Sequence, residues 1–238
     1  MSTRNRSKIA LLITSLALLA LACQAGSSLL ATPTPYPTYP PYPTPATGNS
    51  GTANTLAYSD DFSSERSGWD RYSGNEASTD YGDGVYRIMV TENNWITWAN
   101  PGESFTDVRI EVDATFINGP VTENSYGVIC RHQDVDNFYA LLIASDGAYA
   151  IRKRVNGGDL EIISGEFYDF HDAIKEGQVT NHITAECIGD RIALYANGAL
   201  IVEVLDSDIP SGDVGLIGTS FDTDQMEVHF DNFEVYVP

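Results

Sequence analysis

Glycine-containing turns divide most of this chain into short apolar runs, and this pattern limits the fold more than any other feature. The turn signals are Gly-Asp-Gly at 82–84, Asp-Gly at 146–147, Asn-Gly-Gly at 156–158, Gly-Asp at 189–190 and Asn-Gly at 197–198. The runs between them are rich in Val, Ile, Tyr and Phe, which favour strands. Because such turns join neighbouring antiparallel strands, the pattern predicts an all-β fold, an antiparallel β-sandwich of about a dozen strands.

Individual runs add local predictions. Residues 108–116 alternate apolar and polar side chains, as a half-buried strand does. The Asn197-Gly198 pair predicts the turn of a hairpin. Within 226–237 the apolar positions change parity, which predicts a β-bulge near Asp231-Asn232. Only residues 170–177 have a pattern that predicts a short helix.

The first 22 residues have the pattern of an export signal. Three basic residues lie within residues 1–8, and residues 9–22 are almost entirely apolar. This run is shorter than the roughly 20 residues that a helix needs to cross a bilayer. It matches the apolar part of a signal peptide, so we expect residues 1–22 to be removed and the protein to be exported.

The apolar run ends on a cysteine. Residues 20–23, Ala-Leu-Ala-Cys, resemble the lipobox of bacterial lipoproteins, although Ala20 stands where Leu is usual. The resemblance implies that the Cys23 thiol is joined to a diacylglycerol and that the protein is anchored on the extracytoplasmic face of a bacterial membrane. The alternative is a secreted protein that is cut after Ala22 and keeps an unmodified Cys23.

A proline-rich linker follows, so that residues 23–55 form the lipidated cysteine and its linker. Seven prolines alternate with Thr and Tyr over residues 31–47. Such a segment cannot build a packed core and stays disordered. It favours polyproline II, which would span roughly 50 Å here if extended. A docking site for a proline-binding partner, or an O-glycosylated stalk, is the alternative.

Acidic composition excludes one class of partner. The chain has 33 Asp and Glu against 13 Lys and Arg, a formal net charge of −20 and a pI of about 4.2. Such a surface repels phosphate backbones, so we expect no nucleic-acid partner. Residues 56–238 are long enough to bury one core, and we expect this domain to be monomeric.

Two cysteines remain once Cys23 is assigned to the lipid. Cys130 and Cys187 both lie in strand-like runs. In an oxidising compartment disulfides persist. We therefore expect a Cys130–Cys187 disulfide.

Seven stretches of the domain resemble one family of sandwich folds. The stretches are 60–69, 81–90, 93–100, 125–158, 181–204, 211–218 and 228–237. They resemble the concanavalin A-like lectin/glucanase jelly roll, and within it the laminin-G-like and keto-disaccharide-hydrolase-like modules of bacterial surface proteins. The resemblance implies a jelly roll over residues 56–238. It implies little about function, because the superfamily includes lectins, glycosidases and adhesive modules.

Motifs for catalysis or metal binding are incomplete. Glucanases of this fold carry three carboxylates on one strand, and Glu111-Val-Asp113 supplies only the first two. The four histidines have no metal-binding spacing. We therefore expect no catalytic residue and no cofactor. The exception that we keep open is a structural calcium ion near Asp60, Asp61 and Asp231.

A candidate binding face follows from an assumed strand register. Two-residue turns at 135–136 and 146–147 would place His132 opposite Tyr139, and Tyr139 opposite Arg154. One face would then hold Cys130, His132, Tyr139, Leu141, Ile143, Ala150, Arg152 and Arg154. The other face, which is more apolar and is predicted to be the core, would hold Ile129, Phe138, Ala140, Leu142, Tyr149 and Ile151.

The first of these faces combines an aromatic ring, an imidazole and two guanidinium groups. We expect His132, Tyr139, Arg152 and Arg154 to bind a glycan or an anionic polymer, extended by Trp98 and Trp95. The alternative is that the arginines pair with carboxylates across the strands. Trp69 is predicted to lie in the core.

Three functions fit these features. The first is a surface lipoprotein whose domain binds a polysaccharide without cleaving it. The second is a structural or protein-interaction module that has no sugar site. A hydrolase that acts on glycosides ranks third, because its site would have to be assembled from residues that form no linear motif.

Overall fold

Two stacked antiparallel sheets account for the regular structure of this chain. The computed structural model describes residues 55–222 and 225–238. The predicted signal peptide at 1–22, Cys23 and residues 24–54 of the predicted linker lie outside the described residues. The described strands are β1 Thr55–Asp60, β2 Tyr72–Ser73, β3 Ala77–Gly82, β4 Val85–Val90, β5 Ile96–Ala99, β6 Ser104–Phe105, β7 Val108–Asn118, β8 Asn124–Asp134, β9 Asn137–Ile143, β10 Ala148–Arg154, β11 Glu161–Ile162, β12 Asp169–Phe170, β13 Thr180–Ile188, β14 Arg191–Ala196, β15 Ala199–Leu205, β16 Gly212–Ser220 and β17 Met226–Val237.

The predicted antiparallel β-sandwich is confirmed. The first sheet has the order β15-β14-β13-β7-β17-β4-β3-β2, with β1 added on β17. The second sheet has the order β11-β10-β9-β8-β16-β5, with β12 on β10 and β6 on β16. The described strands number 17 rather than about a dozen, because four are two-residue pairings that no periodic pattern marks.

The main core lies between the sheets and follows the predicted alternation. In β7 the apolar side chains are buried and the polar ones are partly exposed. Trp69 lies in the core, as predicted, at 4% exposure. Its ring contacts Phe62, Tyr86 and Phe233 at centroid distances of 5.3, 5.3 and 4.9 Å. Such edge and tilted contacts add to the stability that burial supplies.

Two local predictions are confirmed by backbone geometry. Asn197 and Gly198 have φ angles of 51° and 83°, as the tight turn between β14 and β15 requires. The register of β17 against β7 shifts between Asp231 and Glu234, and Asn232 has a φ of 53°. This one-residue bulge keeps the apolar residues on both sides of it in the core.

A disulfide joins the two sheets. Cys130 on β8 and Cys187 on β13 are bonded, with their Cα atoms 6.7 Å apart. Both side chains are fully buried. The predicted pair is therefore formed in the structure, and it crosses the core rather than linking neighbouring strands.

The assumed register of the β8–β9–β10 hairpins is wrong. Asp134 does pair with Asn137 across a two-residue turn, but an irregularity at Arg131, whose φ is 55°, brings Cys130 rather than His132 opposite Tyr139. Between β9 and β10 the connection has three residues, 145–147, and ends on Gly147 at a φ of 89°. This longer turn shifts β10 by one residue, so Tyr139 pairs with Lys153 and not with Arg154.

The predicted core face is wrong as well. The inter-sheet core takes Cys130, Tyr139, Leu141, Ile143 and Ile151, and Tyr149 packs against it. The opposite face of the second sheet, here called its outer face, carries a second buried cluster of Ile129, Phe138, Ala140, Leu142 and Ile217. Leu160, from the segment after β10, packs against this cluster. Both faces of these strands are buried, so apolar content alone cannot tell them apart.

The short helix predicted at 170–177 is also wrong. The segment begins as β12 and continues as hydrogen-bonded turns, in which the Ile174 N–H donates to the His171 carbonyl at 3.0 Å. The His171 ring nitrogen Nδ1 accepts the Ala173 N–H at 3.1 Å, which favours a turn over a helix. Within the described residues no helix is long and apolar enough to span a bilayer.

Candidate functional site

Four of the five predicted ligand-binding residues share the outer face of the second sheet. Trp98 lies on β5, His132 on β8, and Arg152 and Arg154 on β10. The alternation of β5 turns Ala99 into the core and Trp98 outwards. Arg152 pairs with Ala140, a member of the outer cluster, and so points to the same side.

Tyr139 does not belong to this site. It is fully buried in the inter-sheet core, on the side of β9 opposite to Arg152. Its hydroxyl donates to Asp206 Oδ1 at 2.5 Å and accepts the Ile209 N–H at 3.1 Å. The expectation that Tyr139 binds ligand is therefore wrong, because the three-residue turn reverses the face that β10 shares with it.

A row of contacting side chains, here called the Trp98 ridge, runs along the outer face. The rings of Trp98 and His132 have centroids 5.9 Å apart, and those of Trp98 and Phe138 are 5.6 Å apart. The Arg154 guanidinium lies 5.8 Å from the Phe138 ring centre, within cation–π range. Phe138 is fully buried, whereas the other three are partly exposed. Trp98, His132 and Arg154 are therefore the accessible members of the ridge.

The two arginines bind main-chain oxygens. Arg152 donates from Nε and Nη2 to the Leu160 carbonyl at 3.2 and 2.6 Å. Arg154 donates from Nη1 to the Val135 carbonyl at 3.3 Å. No carboxylate of the described residues forms an ion pair with either guanidinium. Lys153 points to the other face and pairs with Asp206 and Asp208.

An open groove adjoins the ridge at the edge strand β5. This aromatic groove is lined by Asp70, Tyr72, Trp95, Ile96, Thr97 and Trp98, and has a volume of about 400 Å³. Tyr72 is 44% exposed and Trp95 is 38% exposed. Accessible aromatic rings beside a carboxylate suit a ligand that has an apolar face and polar edges.

Burial shifts the pKa values of His132 and Asp213, two groups close to the groove residue Asp70. It lowers the pKa of His132, against the attraction of nearby carboxylates that include Asp70, so the imidazole is neutral at pH 7. Burial raises the pKa of Asp213 to about 6, although its carboxylate accepts three backbone N–H bonds. Asp213 therefore holds the turn before β6 and loses much of its charge in mild acid.

Glu111 and Asp113 lie elsewhere, on the outer face of the first sheet. Arg109 Nη2 approaches Glu111 Oε1 at 2.5 Å, and His182 Nδ1 lies 2.8 Å from Asp113 Oδ1. Asn232 also donates to Asp113, at 3.0 Å. Both carboxylates are thus held by neighbours on the same face, and they do not line the aromatic groove.

Of the residues considered for calcium, Asp60 and Asp61 line a separate cavity, and Asp231 is not among its lining residues. Asp60, Asp61 and Glu234 line a space of about 330 Å³ together with Ser59, Asn232 and Phe233. Asp60 is 8% exposed, and its Oδ2 has no hydrogen-bond partner. No three His, Cys, Asp or Glu side chains in the described part of the chain are placed to hold a metal. An ion here would need main-chain oxygens, so calcium binding stays a prediction.

Sequence reasoning missed Asp70 and Tyr72. They lie at the two-residue strand β2, which shows no periodic pattern. β2 ends the first sheet and β5 ends the second, so only the stacking of the two sheets brings Tyr72 beside Trp98. Trp95 and Trp98 were the only sign of the groove that the linear sequence offered.

Solved structures show the same fold. A galectin-like protein of unknown function from Bacillus subtilis matches at a TM-score of 0.58 and 12% identity, over 78% of this chain and 97% of that chain. The β-glucanase of Bacillus licheniformis matches at 0.53 and 12%, over 78% and 99%. The carbohydrate-binding module CBM66 of Bacillus subtilis matches at 0.48 and 20%, over 71% and 95%. The galectin-like protein and the β-glucanase show that this sandwich has the jelly-roll fold of concanavalin A-like proteins.

A family model matches the same part of the chain. No curated protein sequence matches this chain. The model describes a 3-keto-alpha-glucoside-1,2-lyase-like domain and covers residues 60–236, from the end of β1 to the end of β17. By this match the chain belongs to the 3-keto-alpha-glucoside-1,2-lyase-like domain family.

Proposed function

We propose that this protein is an exported, lipid-anchored lipoprotein whose jelly roll binds a polysaccharide without cleaving it. The observation that carries the proposal is the aromatic groove, where Tyr72, Trp95 and Trp98 are accessible beside Asp70. Sugar rings have an apolar C–H face and polar edges, which match aromatic rings flanked by polar groups. A bound polysaccharide would continue from the groove onto the Trp98 ridge, which extends the binding surface.

Each remaining predicted residue has a role in this proposal. Trp98 belongs to both the groove and the ridge, so it is the central stacking surface. His132 offers the surface of a neutral imidazole ring, while its Nε2 is buried and has no partner in the described residues. Arg154 ends the ridge and Arg152 lies beside it on the same face. Neither forms an ion pair with a carboxylate of the described residues, so both would contact hydroxyl or acidic groups of the glycan.

The anchoring part of the proposal rests on the sequence. An apolar run that ends at Cys23, followed by a proline-rich segment, is the order expected of a lipid anchor and a spacer. A binding domain held away from a membrane in this way would reach wall or extracellular polysaccharides.

A glycan array probed with the purified full-length protein tests the binding proposal. The wild type should bind a subset of oligosaccharides, and Trp98→Ala should bind the same subset about tenfold more weakly, since one stacking contact is lost. Phe167→Ala is the matched control, because Phe167 is an aromatic residue at 79% exposure that lies outside the groove and the ridge. Thermal unfolding would establish that each variant is folded. An array that is silent for the folded wild type contradicts the proposal.

Two other functions have some support. Phe167 and Phe170, at 79% and 63% exposure, favour a protein-interaction module, and loss of a protein contact in Phe167→Ala with no glycan bound would support it. The family description names a lyase, which favours a carbohydrate-acting enzyme. Release of free sugar from a bound oligosaccharide would support that function and contradict binding without turnover.

A further inference from the structure

Asp70 is the only charged residue that lines the aromatic groove within the described structure. Its side chain is exposed, and no described residue donates a hydrogen bond to its carboxylate or forms an ion pair with it. The nearest basic residue in sequence, Arg71, is engaged elsewhere: its Nε lies 2.6 Å from Asp80, and its Nη1 lies 3.7 Å from Glu65. The negative charge in the groove is therefore left without a partner.

The main chain at Asp70 is fixed on both sides of this free carboxylate. The Asp70 N–H donates to the Asn100 carbonyl at 3.0 Å, and the Tyr86 hydroxyl donates to the Asp70 carbonyl. The preceding residue, Trp69, is buried in the core. Because the main chain at Asp70 is already ordered and its carboxylate has no partner in the described residues, binding of a ligand there costs little conformational entropy.

The surroundings give the groove a negative potential. Asp213 is close enough to Asp70 for that charge to contribute to its raised pKa of about 6, and above this pH Asp213 adds a second negative charge. His132 is also close to Asp70, and it is neutral at pH 7 because burial lowers its pKa. The whole chain has a formal net charge of −20. A cation is therefore attracted to this groove, and an anion is repelled.

The aromatic rings favour the same sign of charge. Tyr72, Trp95 and Trp98 present their rings around the groove. Aromatic faces attract ammonium groups, and rings combined with a carboxylate form a cage for a cation. They also provide flat surfaces for a sugar ring. One ligand class satisfies both requirements, a sugar that carries a free ammonium group.

We propose that the aromatic groove selects glycans that contain hexosamines with a free amino group, with the ammonium placed against Asp70 and the sugar ring against Trp95 or Trp98. This inference rests on the proposed function, because it names the sugar class that the same surface prefers. It assigns Asp70, which the sequence did not single out, as the residue that determines charge specificity.

Calorimetric titration of the purified full-length protein with four oligosaccharides tests the inference. The probes are hexamers of glucosamine, N-acetylglucosamine, glucose and galacturonic acid. The glucosamine hexamer should bind about tenfold more tightly than the N-acetylglucosamine hexamer, which has the same backbone but no charge. Asp70→Asn should remove that tenfold preference and leave the affinity for the uncharged hexamers within about twofold.

Control variants separate charge at the groove from charge in general. Asp190→Asn removes one exposed carboxylate from the β13–β14 turn and should leave the preference unchanged. Trp95→Ala should weaken binding of both the glucosamine and the N-acetylglucosamine hexamers, because each loses a stacking surface for its sugar ring.

Each remaining outcome decides between the two proposals. Binding of uncharged hexamers with no preference for glucosamine, or a preference that survives Asp70→Asn, overturns this inference and leaves the proposed function standing. Tightest binding of the galacturonic acid hexamer also overturns it, and points to Arg152 and Arg154 instead. If no hexamer binds, the inference fails, and failure of the glycan array would extend that result to the proposed function.

Discussion

At the scale of single residues, Tyr139 shows how a predicted ligand contact becomes a structural one. Its hydroxyl links Asp206 and the main chain at Ile209, while Lys153 pairs with the same Asp206. Burial opposes ionisation of Asp206, but the Lys153 ammonium and the Tyr139 hydroxyl outweigh it and hold the pKa of Asp206 below its usual value. The ionised Asp206 carboxylate therefore stabilises the fold at pH values above the usual pKa of Asp, and this stabilisation is lost as the pH falls through the lowered pKa of Asp206.

Removal of that hydroxyl should affect stability and not binding. In Tyr139→Phe the buried Ile209 N–H loses its acceptor, so we expect the free energy of unfolding to fall by about 1–3 kcal/mol. Urea unfolding would measure the change. Glycan binding should stay at the wild-type level, because Tyr139 faces the inter-sheet core while Arg152 and Trp98 lie on the outer face.

A second tyrosine provides the control for this variant. Tyr236 also donates its hydroxyl to a carboxylate, that of Glu234, but on the surface of the first sheet. Tyr236→Phe should therefore be much less destabilising than Tyr139→Phe. Unchanged stability together with weaker glycan binding in Tyr139→Phe would contradict the structural role of this hydroxyl and assign Tyr139 to the binding surface.

At the scale of elements, the Cys130–Cys187 disulfide ties β8 of one sheet to β13 of the other. The bridge closes a loop of 57 residues in sequence separation. On the chain-entropy model, closing such a loop lowers the conformational entropy of the unfolded chain, which stabilises the folded state by about 4 kcal/mol. Cys130→Ala/Cys187→Ala should lose about that much unfolding free energy in urea, less any strain that the native bridge holds.

Reduction of the wild type is the matched comparison. It should lower the stability of the wild type towards that of the double variant, and it should leave the double variant unchanged. Thiol labelling of unfolded, unreduced protein should find neither Cys130 nor Cys187 free. Labelling of both residues would mean that they are two buried thiols with no bond between them.

Strands with one buried and one exposed face could be predicted from the sequence, and strands buried on both faces could not. The alternation in β7 and the parity change in β17 each have a single solution that keeps apolar side chains inside. In β9 every residue after Asn137 is buried, so the pattern permits either face. The turn length then decides, and Asp146-Gly147 fits a two-residue or a three-residue turn equally well.

The candidate site was predicted only in part, for a related reason. Trp98, His132, Arg152 and Arg154 share a face in spite of the wrong register, because two shifts cancel. The irregularity at Arg131 moves His132 to the face opposite Tyr139, and the longer turn at Gly147 does the same for the two arginines. The aromatic groove needs β2 and β5, which end different sheets. No local pattern contains the way in which two sheets stack, so Asp70 could be found only in the structure.

At the scale of the whole molecule, function depends on how the domain is displayed. The chain is acidic, and the proposed removal of residues 1–22 would take away three basic residues and make it more acidic. Such a surface is repelled by anionic lipid. The proposed membrane attachment would therefore depend on a covalent anchor at Cys23 rather than on the surface of the jelly roll.

The anchor can be tested without disturbing the domain. Cys23 lies outside the described residues, and its acylation is a proposal that rests on the apolar run before it. One acyl chain would hold the protein only weakly, whereas two or more would hold it stably. Cells that express the wild type should therefore carry it in the membrane fraction, with an acylated Cys23 at the mature N-terminus by mass spectrometry. Cys23→Ser should be released or keep its signal peptide, and Ser28→Ala should behave as wild type. Recovery of the wild type as a water-soluble protein with a free Cys23 thiol would mean that the domain is secreted, and that any polysaccharide it binds is bound away from the cell that makes it.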